Sequence, residues 1–115
     1  MTGEISIDAE SSVLVERIEI NSNNFTGSID FLLAFPNLIE ARLGNNSFSG
    51  KIPSDLGQMV NLRVLSLGGN LLTGSMPDEI CTLRREYELE YLEADCGGAS
   101  PKIECDCCTS CSSSG

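Results

Sequence analysis

The sequence predicts a repeat solenoid with one short parallel strand per repeat, and three observations predict it. The segments "NNFTGSIDFLLAFPNL" at 23–38, "NNSFSGKIPSDLGQMVNL" at 45–62 and "NLLTGSMPDEICTL" at 70–83 are variants of one another. Their interval is nearly constant: the step from Asn23 to Asn46 differs by a single position from the step from Asn46 to Asn70. Phe25, Phe48 and Leu72 keep the same two steps, as do Gly27, Gly50 and Gly74. Each Asn also follows an apolar triplet at one spacing: Val15, Ile18, Ile20; Leu38, Ala41, Leu43; Leu62, Leu65, Leu67. A unit this short cannot bury its own apolar face and is stabilised by stacking on its neighbours.

The strand comes first in each unit. An apolar–polar–apolar alternation puts two apolar side chains on one face. Parallel stacking, one strand per repeat, then fills a continuous core. The Asn comes next, where the chain leaves the strand and its amide groups lose their ladder partners. A buried carboxamide both donates and accepts, so it can satisfy these groups from repeat to repeat. Asn23, Asn46 and Asn70 are therefore expected to form a structural ladder, not a ligand site.

Together the triplet and the Asn read L-x-x-L-x-L-x-x-N-x-L, followed by x-G-x-I-P. The stretch "FSGKIPSDLGQMVNL" closely resembles the consensus of the plant-specific class of leucine-rich repeats. That resemblance covers roughly residues 1–96. It implies an α/β-type right-handed solenoid, with a parallel β-sheet on the concave face and 3₁₀ turns and short extra strands on the convex face. Known members include receptor-like kinases and receptor-like proteins at the cell surface, and inhibitors of wall-degrading polygalacturonases. Two positions depart from the consensus. Met76 replaces Ile, and Asp30 replaces Pro, so an irregular back is expected in the first repeat.

The units run in order along the chain. Residues 1–14 read as the tail of a truncated upstream repeat, because "MTGEIS" carries the Thr-Gly and the Ile of the back segment. Three repeats occupy 15–37, 38–61 and 62–85. Upstream repeats of the same polypeptide are expected to be missing; the rival reading is a short protein whose exposed end pairs with another chain. "MTGEISIDAE" has neither the basic start nor the apolar run of a signal peptide. Residues 86–111 read as a C-terminal cysteine-rich cap, and 112–115 as a disordered tail. Within the cap, Leu89, Leu92 and Ala94 repeat the strand spacing of Leu62, Leu65 and Leu67 after a slightly longer step, which predicts a last strand. An insertion of about one helical turn, "RREYE", is expected before it.

The six cysteines, Cys81, Cys96, Cys105, Cys107, Cys108 and Cys111, allow fifteen pairings. Two chemistries compete. One is a set of disulfides sealing the solenoid end in an oxidising compartment. The other is zinc held by the thiolates of "CDCCTSC". The even count, the lack of any His and the lack of paired C-x-x-C knuckles favour disulfides, with the pairing open. The tail also resembles the cysteine-rich ends of secreted leucine-rich repeat proteins of algae such as diatoms.

Composition narrows the function. Formal charge is −10, with nine acids against three bases between Asp78 and Asp106. This excludes nucleic acid as a partner, because that affinity rests on Lys and Arg neutralising phosphates. The same carboxylates are read as a solvated face and not as a calcium site, and no metal or cofactor is expected. No apolar run approaches the ~20 residues of a membrane helix. Without His, Ser-His and Cys-His nucleophile pairs are excluded, and no enzyme is expected.

Binding remains, and strand residues between the core positions should face outward. Candidate ligand-binding residues on the concave face are Arg17, Glu19, Glu40, Arg42, Val64, Ser66, Tyr91 and Glu93, continued by Asn21, Gly44, Gly68 and Asp95. Adjacent strands lie ~4.8 Å apart, so Arg17 is expected beside Glu40 and Glu19 beside Arg42 as cross-strand ion pairs. Two sequons, at Asn24 and Asn45, leave those side chains free for glycosylation. The combined reading is a non-enzymatic recognition module of a secreted or cell-surface protein. It would bind a protein, peptide or polysaccharide on its concave face. The alternative is a purely structural cap with no partner of its own.

Overall fold

The computed structural model describes Thr2–Gly3 and residues 15–112. Parallel strands form two layers. The first layer is a five-stranded sheet built from β2 (Arg17–Glu19), β4 (Glu40–Arg42), β6 (Val64–Ser66), β9 (Tyr91–Ala94) and β11 (Ser110–Cys111), in that spatial order. On the back, β1 (Thr2–Gly3), β3 (Asn24–Gly27), β5 (Ser47–Gly50) and β7 (Leu71–Leu72) form a second parallel sheet. A third pairing joins β8 (Gly74–Ser75) to β10 (Ile103–Glu104). This is the leucine-rich repeat solenoid expected from the sequence.

Register follows the apolar triplets. Arg17 lies opposite Glu40, Glu40 opposite Val64 and Val64 opposite Tyr91, so Ile18, Ala41, Leu65 and Leu92 form one inward column. Ala41, Leu65 and Leu92 have no exposed surface. Behind them the Phe25 and Phe48 rings stack at 6.3 Å between centroids, and Phe31 closes on Phe48 at 5.6 Å. The core lies between the sheets and runs the length of the solenoid, as stacked repeats require.

The convex side is made by 3₁₀ turns at Asp30–Ala34 and Ser54–Gln58. The first repeat is irregular where its turn begins: the turn follows Ile29 directly, at ψ 12°, whereas the second repeat places the extended Pro53, at ψ 134°, between Ile52 and its turn; beyond that entry both make a five-residue turn, with Leu32 in the position of Leu56. In the third repeat the turn becomes a nine-residue helix, α1 (Asp78–Glu86). The expected insertion at "RREYE" is therefore absorbed by lengthening a turn that already starts at Asp78. Acids in its first turn and Arg84 and Arg85 in its last suit the helix dipole. Its buried Ile80, Cys81 and Leu83 cover the end of the core. The helix approaches the previous turn so closely that a Cβ built on Gly57 would lie 2.4 Å from Glu79 Cβ.

The cap is a further coil, which the sequence does not predict. From β9 the chain crosses to the back as β10 and returns as β11, whose Ser110 lies opposite Glu93. The step between paired positions of the concave strands is nearly constant from Arg17 to Glu40 to Val64. It lengthens from Val64 to Tyr91 and shortens sharply from Glu93 to Ser110. Ile103 of β10 is buried and plugs the core. Disulfides Cys81–Cys107, Cys96–Cys111 and Cys105–Cys108 fasten this coil, and no cysteine is free. All six sulfurs are consumed, so "CDCCTSC" has no thiolate to offer zinc. Residues 1 and 4–14, assigned from sequence to an upstream repeat, lie outside the described residues, as do 113–115. Of that upstream segment Thr2–Gly3 is described, and it pairs with the start of β3.

Candidate functional site

The Asn column forms as a hydrogen-bonded ladder. Asn46 Nδ2 donates to Ile20 O at 2.8 Å and Leu43 O at 3.0 Å, and its Oδ1 accepts from Phe25 N. One repeat on, Asn70 Nδ2 donates to Leu43 O and Leu67 O, and its Oδ1 accepts from Phe48 N. Asn23 is only half-buried and donates within its own turn, to Ile20 O and Asn21 O. The residue before each Asn takes a left-handed backbone: Ser22 at φ 59°, Asn45 at 60° and Gly69 at 75°. That turn ends each concave strand and sets the rim of the face.

The concave face presents the predicted residues in columns. Arg17 Nε lies 3.4 Å from Glu40 Oε2, with Arg17 well exposed, so this ion pair is solvated; such pairs contribute ~0.2–1 kcal/mol. Glu19 stands beside Arg42 in register, but the two do not close into an ion pair. Val64 and Ser66 are half-buried, and Tyr91 is 37% exposed.

Glu93 departs from the expectation. Alternation along the strand predicts an outward, solvated side chain, yet Glu93 is 8% exposed. Its Oε1 accepts from Ser66 Oγ at 2.8 Å and from Gly68 N at 3.0 Å, and its Oε2 accepts from Ser112 Oγ. Asp95 is 2% exposed and accepts from Gly69 N and Asn70 N. The physical reason is the last repeat. In the preceding repeat the matching turn amides are met by Asn21 Oδ1, which accepts from Gly44 N, and by Gly68 O, which accepts from Asn45 N; at residues 68–70 two carboxylates take that role. Ser112 reaches Glu93 only because β11 folds back beside β9, and no spacing in the sequence announces that.

These groups line a shallow groove of about 450 Å³ at the cap end of the face, between Asn21, Asn45, Ser66, Tyr91, Glu93, Asp95 and Ser112. Of the two sequon residues, Asn45 is exposed on the groove's rim and Asn24 is exposed at the start of β3 on the back. Among the described residues no cluster of His, Cys, Asp and Glu is arranged to hold a metal ion, and no helix is long and apolar enough to cross a membrane.

A curved parallel sheet with a carboxamide ladder and a 3₁₀ back defines the leucine-rich repeat class. The model of the family "Leucine Rich Repeat" matches at residues 37–59 and 61–83, and the chain belongs to this family, in its plant class. It is 34% identical to phytosulfokine receptor 1 of Arabidopsis thaliana over 84 residues, which cover 73% of this chain and 7% of that receptor. Among solved structures it superposes on the BIR2 ectodomain of Arabidopsis thaliana with a TM-score of 0.71 at 26% identity, over 81% of this chain and 48% of that one. It also superposes on the plant peptide hormone receptor RGFR1 in complex with RGF2, with a TM-score of 0.63 at 31% identity, over 73% of this chain and 14% of that one. The chain thus spans less than a tenth of the length of the curated receptor it resembles and about half of the BIR2 ectodomain. The fold it shares with these ectodomains is non-catalytic.

Proposed function

We propose that this chain is a recognition module of a secreted or cell-surface leucine-rich repeat protein, taking a peptide or protein segment across its concave sheet. The observation that carries the reading is the sheet itself: its strands lie in parallel register and align side chains in columns, Arg17, Glu40, Val64 and Tyr91 in one and Glu19, Arg42, Ser66 and Glu93 in the next, with Tyr91 as an aromatic anchor of the kind enriched in binding hot spots. One similar receptor structure contains a bound peptide hormone, RGF2. Three disulfides favour an oxidising compartment, and the sequons at Asn24 and Asn45 fit the secretory route.

Selection of binders from a random displayed peptide library tests this. Binding of the selected peptides is expected to fall in Arg42→Glu and Val64→Arg while the melting temperature stays unchanged. Variants on the back strands, such as Ser49→Arg, are expected to bind normally. Peptides that ignore both concave changes overturn the proposal.

The second reading, a structural cap, is favoured by the extra coil and its disulfides, which cover the end of the core. The two readings separate on a longer chain. Full partner binding after removal of residues 62–115 supports the cap, and lost binding supports recognition.

A further inference from the structure

Building on that reading of the concave face, we infer that the groove beside the cap takes an arginine side chain of the bound segment. Its guanidinium is held between the Tyr91 ring and the carboxylates of Glu93 and Asp95. Both carboxylates are more than nine-tenths buried, and among the described residues neither has an ion-pair partner. The groups that do contact them are neutral: backbone amides and the hydroxyls of Ser66 and Ser112. Among the described residues no Lys or Arg lines the groove. All of these donors are neutral, so a cation entering the groove would add a charge-assisted partner that the protein itself does not supply among the described residues.

Tyr91 makes the choice of cation. It borders the same groove, on the same strand as Glu93, with more than a third of its surface open. A guanidinium stacks on an aromatic face and still points its planar fork of N–H donors at carboxylate oxygens. Each carboxylate retains unused acceptor capacity for that fork. An ammonium has no flat face to stack and is more strongly hydrated, so lysine should bind more weakly here.

The test is a titration of the isotope-labelled full chain, disulfides intact, at physiological salt and followed by NMR. The probes are end-blocked tripeptides with a central arginine, citrulline, lysine or glutamate between glycines. The arginine peptide is expected to shift the amides of Ser66, Gly68, Gly69, Tyr91, Glu93 and Ser112 saturably. Citrulline, which keeps the shape without the charge, is expected to bind at least tenfold more weakly; lysine is expected to fall between them, and glutamate to leave these amides unmoved. Glu93→Gln keeps an acceptor for Gly68 N and removes the charge, and should weaken arginine binding about tenfold. Asp106→Asn removes the same charge from an exposed position outside the groove and should leave binding unchanged. Equal binding of arginine and citrulline overturns the inference. So does equal binding of arginine and lysine, or an equal loss in Glu93→Gln and Asp106→Asn, which would mark a diffuse attraction to an acidic chain. If Glu93→Gln fails to fold, Tyr91→Ala and the citrulline comparison on the unaltered chain still decide. Library peptides that lack arginine but still depend on Arg42 and Val64 would sink this inference and leave the recognition reading standing.

Discussion

At Asn46 one side chain serves four backbone groups from two repeats, three carbonyls and one amide. Replacing it with Leu strands these groups in a dry interior. Asn46→Leu is expected to destabilise the protein by ~1–3 kcal/mol, measured by urea unfolding. Asn23→Leu should cost less, because Asn23 is half-buried and, among the described residues, bonds only within its own turn. Asn45→Gln should cost about 1 kcal/mol, because Asn45 holds a left-handed backbone at φ 60° that Gln tolerates less well, and should remove any glycan there, a change visible by mass. Gly57 is a different kind of site. A methyl group at this position meets Glu79 Cβ at 2.4 Å and the Glu79 backbone at 2.9 Å, so relief requires moving α1 itself. Gly57→Ala is expected to cost ~1–3 kcal/mol through overpacking, again by urea unfolding.

The disulfides are ranked by the sequence separations they close, 26, 15 and 3. In the chain-entropy model these give about 3.5, 3 and 1.6 kcal/mol. Paired Ser replacements should follow that order, with loss of Cys81–Cys107 the most damaging because it ties α1 to the tail. Native and denatured protein should both lack free thiols, and the mass should be about six units below the reduced chain, one hydrogen per sulfur. A chelator should change nothing, and thiols that appear only on denaturation would contradict the pairing. Repeating elements are legible in the sequence for a physical reason: a strand and its ladder Asn obey a local spacing, so β2, β4, β6 and β9 can be read from the apolar triplets. The two final strands cannot. Ile103–Glu104 and Ser110–Cys111 are two-residue strands created by partners already in place, with no periodicity of their own. The groove is half legible. Tyr91 and Ser66 follow from alternation, while the burial of Glu93 depends on the returning chain.

For the whole molecule, the cap closes both the core and the sheet. Cutting the chain after Gly98 removes β10 and β11, breaks all three disulfides, uncovers the edge of β9 and leaves the site of Ile103 open. Exposed strand edges recruit other chains. The truncated protein is expected to associate in a concentration-dependent way and to unfold with lower cooperativity, measured by light scattering and thermal melting. A monomeric, sharply melting truncation would mean that α1 alone seals the end.

The unequal strand steps bear on how such a chain can change by copying. The first two steps of the concave sheet are nearly interchangeable, so an in-frame duplication of 38–61 would present matching faces at both new seams. The long step into β9 and the short step into β11 occur once each, and three sulfur bonds lock the closing coil in place. Gain and loss of units should therefore be tolerated ahead of residue 62, before Cys81 and α1, where a copied 38–61 leaves Ser66, Tyr91, Glu93, Asp95 and Ser112 in place and puts a second Gly44 where Asn21 lines the groove. A chain with 38–61 doubled should fold, melt at or above the original temperature and bind the arginine probe unchanged, whereas a doubled 86–111 should misfold through mispaired cysteines. Thermal melting and disulfide mapping of the two duplicates would check both outcomes.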